Sequence, residues 1–166
     1  MYSQKIEYEI SLCGRDQKVK IFNKNNNIFR GWIEYEFFKK NSSKKIVKKQ
    51  KITNSLANKL FVELTENGIN EPIKVEKNCG DFYLDGDYLS FSIKKDGKTV
   101  NELVLAEVYP ESESNVEKNQ CRRKMQILVT DLDNDLNLKK RHAEIFKKLP
   151  NNTCYWSGIY MTCKKK

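Results

Sequence analysis

Several things are scarce in this 166-residue chain, and each scarcity excludes a class of function. No apolar run approaches the roughly 18 residues that a helix needs to cross a bilayer. Histidine occurs once, at His142, so no histidine cluster is on hand for a metal, and a catalytic triad or dyad would have a single imidazole to use. That imidazole follows Lys139, Lys140 and Arg141, whose charge opposes the imidazolium a general base must form. His142 is therefore expected on a helix surface. Arginine stands only at positions 15, 30, 122, 123 and 141, against 31 basic residues in all. Arginine reads phosphates and base edges bidentately, so a net charge of +9 carried by lysine points first to a solvated surface and only second to nucleic acid. There is no glycine-rich phosphate loop, no dinucleotide fingerprint and no Cys-x-x-Cys pair. No catalytic residue, metal or cofactor is predicted.

What remains is a globular composition, 39% hydrophobic and 32% charged, in a chain that fits a single domain over residues 1–166. Cysteines at 13, 79, 121, 154 and 163 are many for a reducing compartment and suggest two disulfides and one free thiol. Cys154 and Cys163 look badly placed for each other. A two-residue turn at Ser157-Gly158 sets Cys154 opposite Met161, and one continuous strand sends the two to opposite faces. Cys79–Cys121 is the preferred pair. Ser3-Gln4, just ahead of the first strand, resembles a mature end left by signal cleavage, which predicts a periplasmic or secreted protein, with the cytoplasm as the alternative.

The chain reads as α+β, an antiparallel sheet of about six strands packed against two or three helices. Apolar–polar alternation marks strands at Ile6–Leu12, Gln17–Asn23 and Ile28–Lys39, with a further strand over Lys44–Ile52 and Ile46 facing inward. Gly31 within the third suggests a bulge or a close backbone approach. Thr53 or Asn54 caps a helix whose stripe is Leu56, Leu60, Phe61 and Leu64, stopped by Asn67-Gly68. In Cys79–Pro110, Asp85-Gly86 and Asp96-Gly97 supply the positive φ of tight hairpin turns, and Leu89, Phe91 and Ile93 alternate with serines. A second helical region opens in the polar stretch Glu111–Asn119. It continues through the stripe Cys121, Met125, Leu128 and Leu132, and helix persists to about Lys148, before Pro150. Thr153–Cys163 is aromatic and β-prone, a last strand or hairpin.

Few constellations suggest chemistry. Asp131, Asp133 and Asp135 open like a calcium loop, but Leu136 and His142 occupy the places of its glycine and glutamate, so a solvated acidic face is expected. Asp81, Asp85 and Asp87 are read as turn residues. Glu7/Glu9 and Glu34/Glu36 are read as a solvent face balanced by cross-strand lysines rather than as a hydrolase pair. The Lys39–Lys51 stretch fits an edge strand guarded by lysine. Lys44, Lys45, Lys48 and Lys49, with Arg122 and Arg123, are the alternative anion-binding set. Tyr155, Trp156 and Tyr160 are the candidate partner-binding residues, since neighbours in a strand cannot all face inward. The expectation is a non-enzymatic exported protein that binds another protein, an inhibitor or immunity-type role being its concrete form; a nucleic-acid or anionic-surface binder is the alternative.

Overall fold

Alternating burial builds the first half of the chain into a meander. In β1 (Ile6–Ser11), β2 (Gln17–Asn23) and β3 (Phe29–Lys39), Tyr8, Ile10, Val19, Ile21, Ile33, Tyr35 and Phe37 are fully buried while their neighbours keep contact with solvent. The computed structural model describes residues 5–24, 28–42, 44–71 and 87–165. β4 (Lys45–Ile52) pairs along Gly31–Phe38 of β3 and pairs with no other described strand. It is the lysine-rich edge expected, with Ile46 turned toward the core.

β5 (Tyr88–Lys95) and β6 (Lys98–Ala106) are joined at Asp96-Gly97, with φ of 50° and 81°. Two consecutive positive φ angles are what a type I′ hairpin turn needs. β5 docks on β1, Phe91 opposite Ile10 and Ile93 opposite Tyr8. The expected Asp85-Gly86 turn, and Asp81 with it, lie outside the described residues. β7 (Thr153–Ser157) pairs with β3 at Phe38 and Lys39, and β8 (Tyr160–Cys163) follows it. Phe38 also pairs with β4, so β7 occupies the other edge of β3, past the end of β2. The tail thus contributes two strands, and among the described residues the sheet has eight where about six were expected.

Gly31 carries the close approach rather than a bulge. A Cβ there would stand 3.0 Å from the Lys20 carbonyl oxygen and 3.3 Å from the Ile52 side chain. Among the described residues three helices pack against one face of the sheet. In α1 (Asn54–Glu66), the Thr53 hydroxyl accepts the Leu56 amide, and Ala57, Leu60, Phe61 and Leu64 are buried. Phe61 stacks on Tyr8 with centroids 4.5 Å apart. α2 (Gln120–Leu136) starts later than the polar stretch suggested, because the Asn119 side chain accepts the Cys121 and Arg122 amides and so caps the helix there. Asn137, left-handed at φ 50°, separates α2 from α3 (Leu138–Lys147).

On the uncovered face, Glu9 meets Lys20 at 3.2 Å and Lys94 at 2.8 Å, and Glu34 meets Lys49 at 3.3 Å. These are the cross-strand pairs that the alternation implied. The acidic run of α2 is less solvated than expected. Asp133 accepts the Leu138 amide at 2.9 Å, Asp135 binds Lys59 at 2.7 Å, and Asp131 accepts from Asn67. Among the described residues no helix is long and apolar enough to cross a membrane.

The cysteine reading needs correction. Cys154 and Cys163 form a disulfide, with Cα atoms 4.1 Å apart. The two-residue turn is Gly158-Ile159, one place later than supposed, so Ser157 faces Tyr160 and the two cysteines face each other. Gly158, at φ 59°, takes the first central position, where a type II′ turn asks for glycine. Cys121 is also disulfide-bonded; its expected partner, Cys79, lies outside the described residues. Cys13 is free, and burial pushes its thiol up to about 12.

Candidate functional site

The β7–β8 hairpin is clamped at its base and bare at its tip. After Pro150 ends the α3 region, the Thr153 hydroxyl donates to the Pro150 carbonyl at 2.7 Å. The Lys164 ammonium donates to the Lys147 and Leu149 carbonyls, each at 2.6 Å, which ties the exit of the hairpin to the end of α3. The disulfide closes the pair of strands between these anchors. Beyond it Trp156 is 48% exposed, Ile159 59%, Tyr160 73% and Met161 44%.

The three expected partner-binding residues do not share a surface. Trp156 pairs opposite Met161 and stacks on Phe38 at 5.7 Å, on the sheet face away from the helices. Tyr155 turns the other way and packs edge-on against His142 at 4.6 Å and Phe146 at 5.0 Å. It belongs to the core margin. Tyr160 is on the Tyr155 side by pleat but extends past the core at the tip. Ile159 and Met161 join the exposed group, and their signal was their place around a glycine turn.

A cleft of about 400 Å³ opens beside Trp156, floored by the β1–β2 turn and walled by Glu34, Glu36, Lys45, Asp87 and Tyr88. Asp16 of that turn accepts the Trp156 amide through its carboxylate at 3.3 Å, and its own carbonyl accepts the Glu36 amide at 2.8 Å. Burial raises the Asp16 pKa, and the nearby charges of Glu36 and Asp87 push the same way. Lys45 neutralises Glu36 at 2.6 Å. Strand β3 thus brings Glu34 and Glu36 to the cleft, while Asp16, Asp87 and Trp156 arrive from distant parts of the chain.

The alternative anion-binding set is scattered and largely occupied. Lys45 and Lys49 are paired with Glu36 and Glu34. Arg122 binds Glu117 and the Ala106 carbonyl, and Arg123 binds Glu111. Lys44 and Lys48 are exposed near the β4 edge. Among the described residues no group of three or more His, Cys, Asp or Glu side chains is placed to hold a metal.

His142 is not on the surface. It is 3% exposed, enclosed by Tyr35, Phe37, Phe146 and Tyr155. Burial, helped by the charge of Arg15, lowers its pKa to about 4. Leu138, His142, Ile145 and Phe146 share one helical stripe, and that periodicity outweighs the flanking charges of Lys139, Lys140 and Arg141.

No family model matches the chain, and no curated protein matches it.

Proposed function

We propose that the chain is a non-enzymatic binding protein, exported to the periplasm or the exterior, that recognises another protein through the tip of its β7–β8 hairpin. An inhibitor or immunity-type role is the concrete form. One observation carries the reading: four large apolar side chains, Trp156 and Met161 on one face and Ile159 and Tyr160 at the turn, are exposed on one hairpin fixed by a disulfide and by Lys164. Tyrosine and tryptophan are the usual anchors of protein interfaces, and a tip already held in one conformation loses little further freedom on docking. The carboxylates of the neighbouring cleft suit a basic side chain of that partner. The disulfide supports export, since such bonds persist in oxidising compartments.

Nucleic acid is the weaker reading, because four of the six cations named for it are held by carboxylates of the same chain. The test is an affinity pull-down from the source cells, with nuclease-treated controls, washed at about 0.15 M and about 0.5 M salt. Wild type, Trp156→Ala, Tyr160→Ala and a charge reversal of Lys44, Lys45, Lys48 and Lys49 serve as baits. One protein retained at both salts, lost with the aromatic variants and kept with the lysine variant, is the expected result. Loss of all bound material at high salt, with nucleic acid in the low-salt eluate, would overturn the proposal.

A further inference from the structure

Three stretches of chain meet at the base of the β7–β8 hairpin: residues 39–44 after β3, residues 147–152 at the end of α3, and residues 163–165 after β8. Backbone bonds hold them together. Lys39 pairs with Thr153, the Lys40 amide donates to the Asn152 carbonyl at 2.9 Å, and the Asn152 amide donates to the Lys164 carbonyl at 3.1 Å. These stretches carry Lys39, Lys40, Lys44, Lys147, Lys148 and Lys165, all exposed, and Lys164, half-buried where its ammonium meets the α3 carbonyls. Much of the chain's net charge of +9 is therefore gathered at one end of the molecule.

Nothing in the chain neutralises this end. Residues 37–44 and 145–165 contain no aspartate or glutamate, and Glu36, just before them, is already held by Lys45. None of the seven lysines is in an ion pair among the described residues. The contrast with the rest of the surface is sharp, since Lys20, Lys45, Lys49, Lys59 and Lys94 each meet a carboxylate. Like charges crowded together repel, and an anionic partner would offset that repulsion. The residue types narrow the partner further. Lysine is a point charge on a flexible stem and does not grip one phosphate bidentately as arginine does. The three stretches hold no aromatic side chain on which bases could stack. Leu149 is buried, and Asn41, Ser42, Asn151 and Asn152 fill the exposed places between the lysines. Such a surface suits many mobile phosphates spread over a plane.

We propose that this end of the molecule docks on an anionic lipid bilayer, its lysines lying among the phosphate headgroups without entering the hydrocarbon. Clusters of four to eight basic residues are the usual size for such binding, which is electrostatic and weakened by salt. β7 leaves this end and β8 returns to it, so the hairpin turn stands about 16 Å along the strands from the membrane-facing lysines, at roughly 3.3 Å per residue. The exposed aromatic tip therefore stays free while the base is docked. Lipid docking does not depend on what the tip recognises.

The test is flotation of the purified protein with vesicles of about 30% phosphatidylglycerol in phosphatidylcholine, and with vesicles of phosphatidylcholine alone, at about 0.1 M and about 0.5 M salt. Wild type is expected to float with the anionic vesicles at the lower salt, and to remain unbound at the higher salt and with neutral vesicles. Each lysine near such a surface is worth about fivefold in partition, so Lys39→Gln, Lys40→Gln, Lys44→Gln and Lys148→Gln combined should weaken binding by on the order of a hundredfold. Lys164 is left in place because it anchors the hairpin. A control with Lys24→Gln, Lys51→Gln, Lys98→Gln and Lys118→Gln removes as much charge from exposed places elsewhere, and should weaken binding less than about tenfold. The thermal midpoint of each variant is measured alongside. If that of the first falls, Lys40→Gln with Lys44→Gln replaces it, with an expected loss of about twentyfold. Absence of flotation with anionic vesicles at the lower salt, equal binding to neutral vesicles, or equal losses in the variant and the control would overturn the proposal. So would tighter binding to a DNA duplex than to the vesicles at equal accessible negative charge.

Discussion

Acidification should unfold this protein partly through one residue. His142 is 3% exposed, and its pKa lies at about 4 against an ordinary 6.5. The unfolded chain therefore binds a proton that the folded chain refuses between those values. Stability from this group is complete above about pH 6.5 and falls as the pH drops through the window toward 4. With these two pKa values, the loss between pH 7 and pH 5 is about 2 kcal/mol, approaching about 3 kcal/mol below pH 4. The charged and titratable groups around the imidazole are Arg15, the Glu113 that pairs with it, Lys139, Lys147, Asp87, Tyr109, Tyr35 and Tyr155. Glu113 is held below the usual carboxylate range: burial opposes this, but Arg15 and Lys139 outweigh it, so it stays ionised over most of the interval. The assay is urea unfolding of wild type and His142→Phe at pH 7 and pH 5. Phenylalanine suits the ring cage, and whatever it changes in packing is the same at both pH values. Wild type should lose about 2 kcal/mol more than the variant between the two pH values. Equal losses, within about 0.5 kcal/mol, would refute the argument.

Three further outcomes are expected. Replacing Cys154 and Cys163 together by serine opens a closed loop with a sequence separation of 9, and thermal unfolding should register a loss of about 2–3 kcal/mol. Leu60→Ala, at a fully buried position between α1 and the sheet, should cost about 2–5 kcal/mol in urea. Tyr160→Ala, at 73% exposure, should leave stability within about 0.5 kcal/mol yet weaken the proposed protein partner by about 2 kcal/mol in calorimetry, so equal small effects on both would remove Tyr160 from the interface.

Local chemistry was legible wherever one short stretch decided the structure. Asp96-Gly97 made its hairpin, Thr53 capped its helix, and the Leu60–Leu64 stripe went inside, because each depends on neighbours in sequence. The errors came where a single place mattered. Moving the tail turn from Ser157-Gly158 to Gly158-Ile159 changes the partner of Cys154 from Met161 to Cys163, and composition does not distinguish the two. His142 is buried because a four-residue step from Leu138 puts it on the apolar stripe of α3, which its three charged neighbours mask in the sequence. The cleft was not legible at all. The Trp156 amide reaches Asp16 across 140 positions, and Arg15 reaches Glu113 across 98. Only the folded sheet brings those residues together.

The hairpin has one more consequence, for handling the protein. From Thr153 to Cys163 no side chain is charged, and β8 ends the sheet with an outer edge unpaired among the described residues. Such a strand, rich in β-formers and free of proline, is a template for another copy of itself. Three lysines, 164–166, follow immediately and act as gatekeepers by mutual repulsion between molecules. Salt weakens that repulsion, so concentrated protein stored at high ionic strength should form oligomers that dilute, low-salt protein does not. The exposed edge of β8 is then the molecule's own solubility limit.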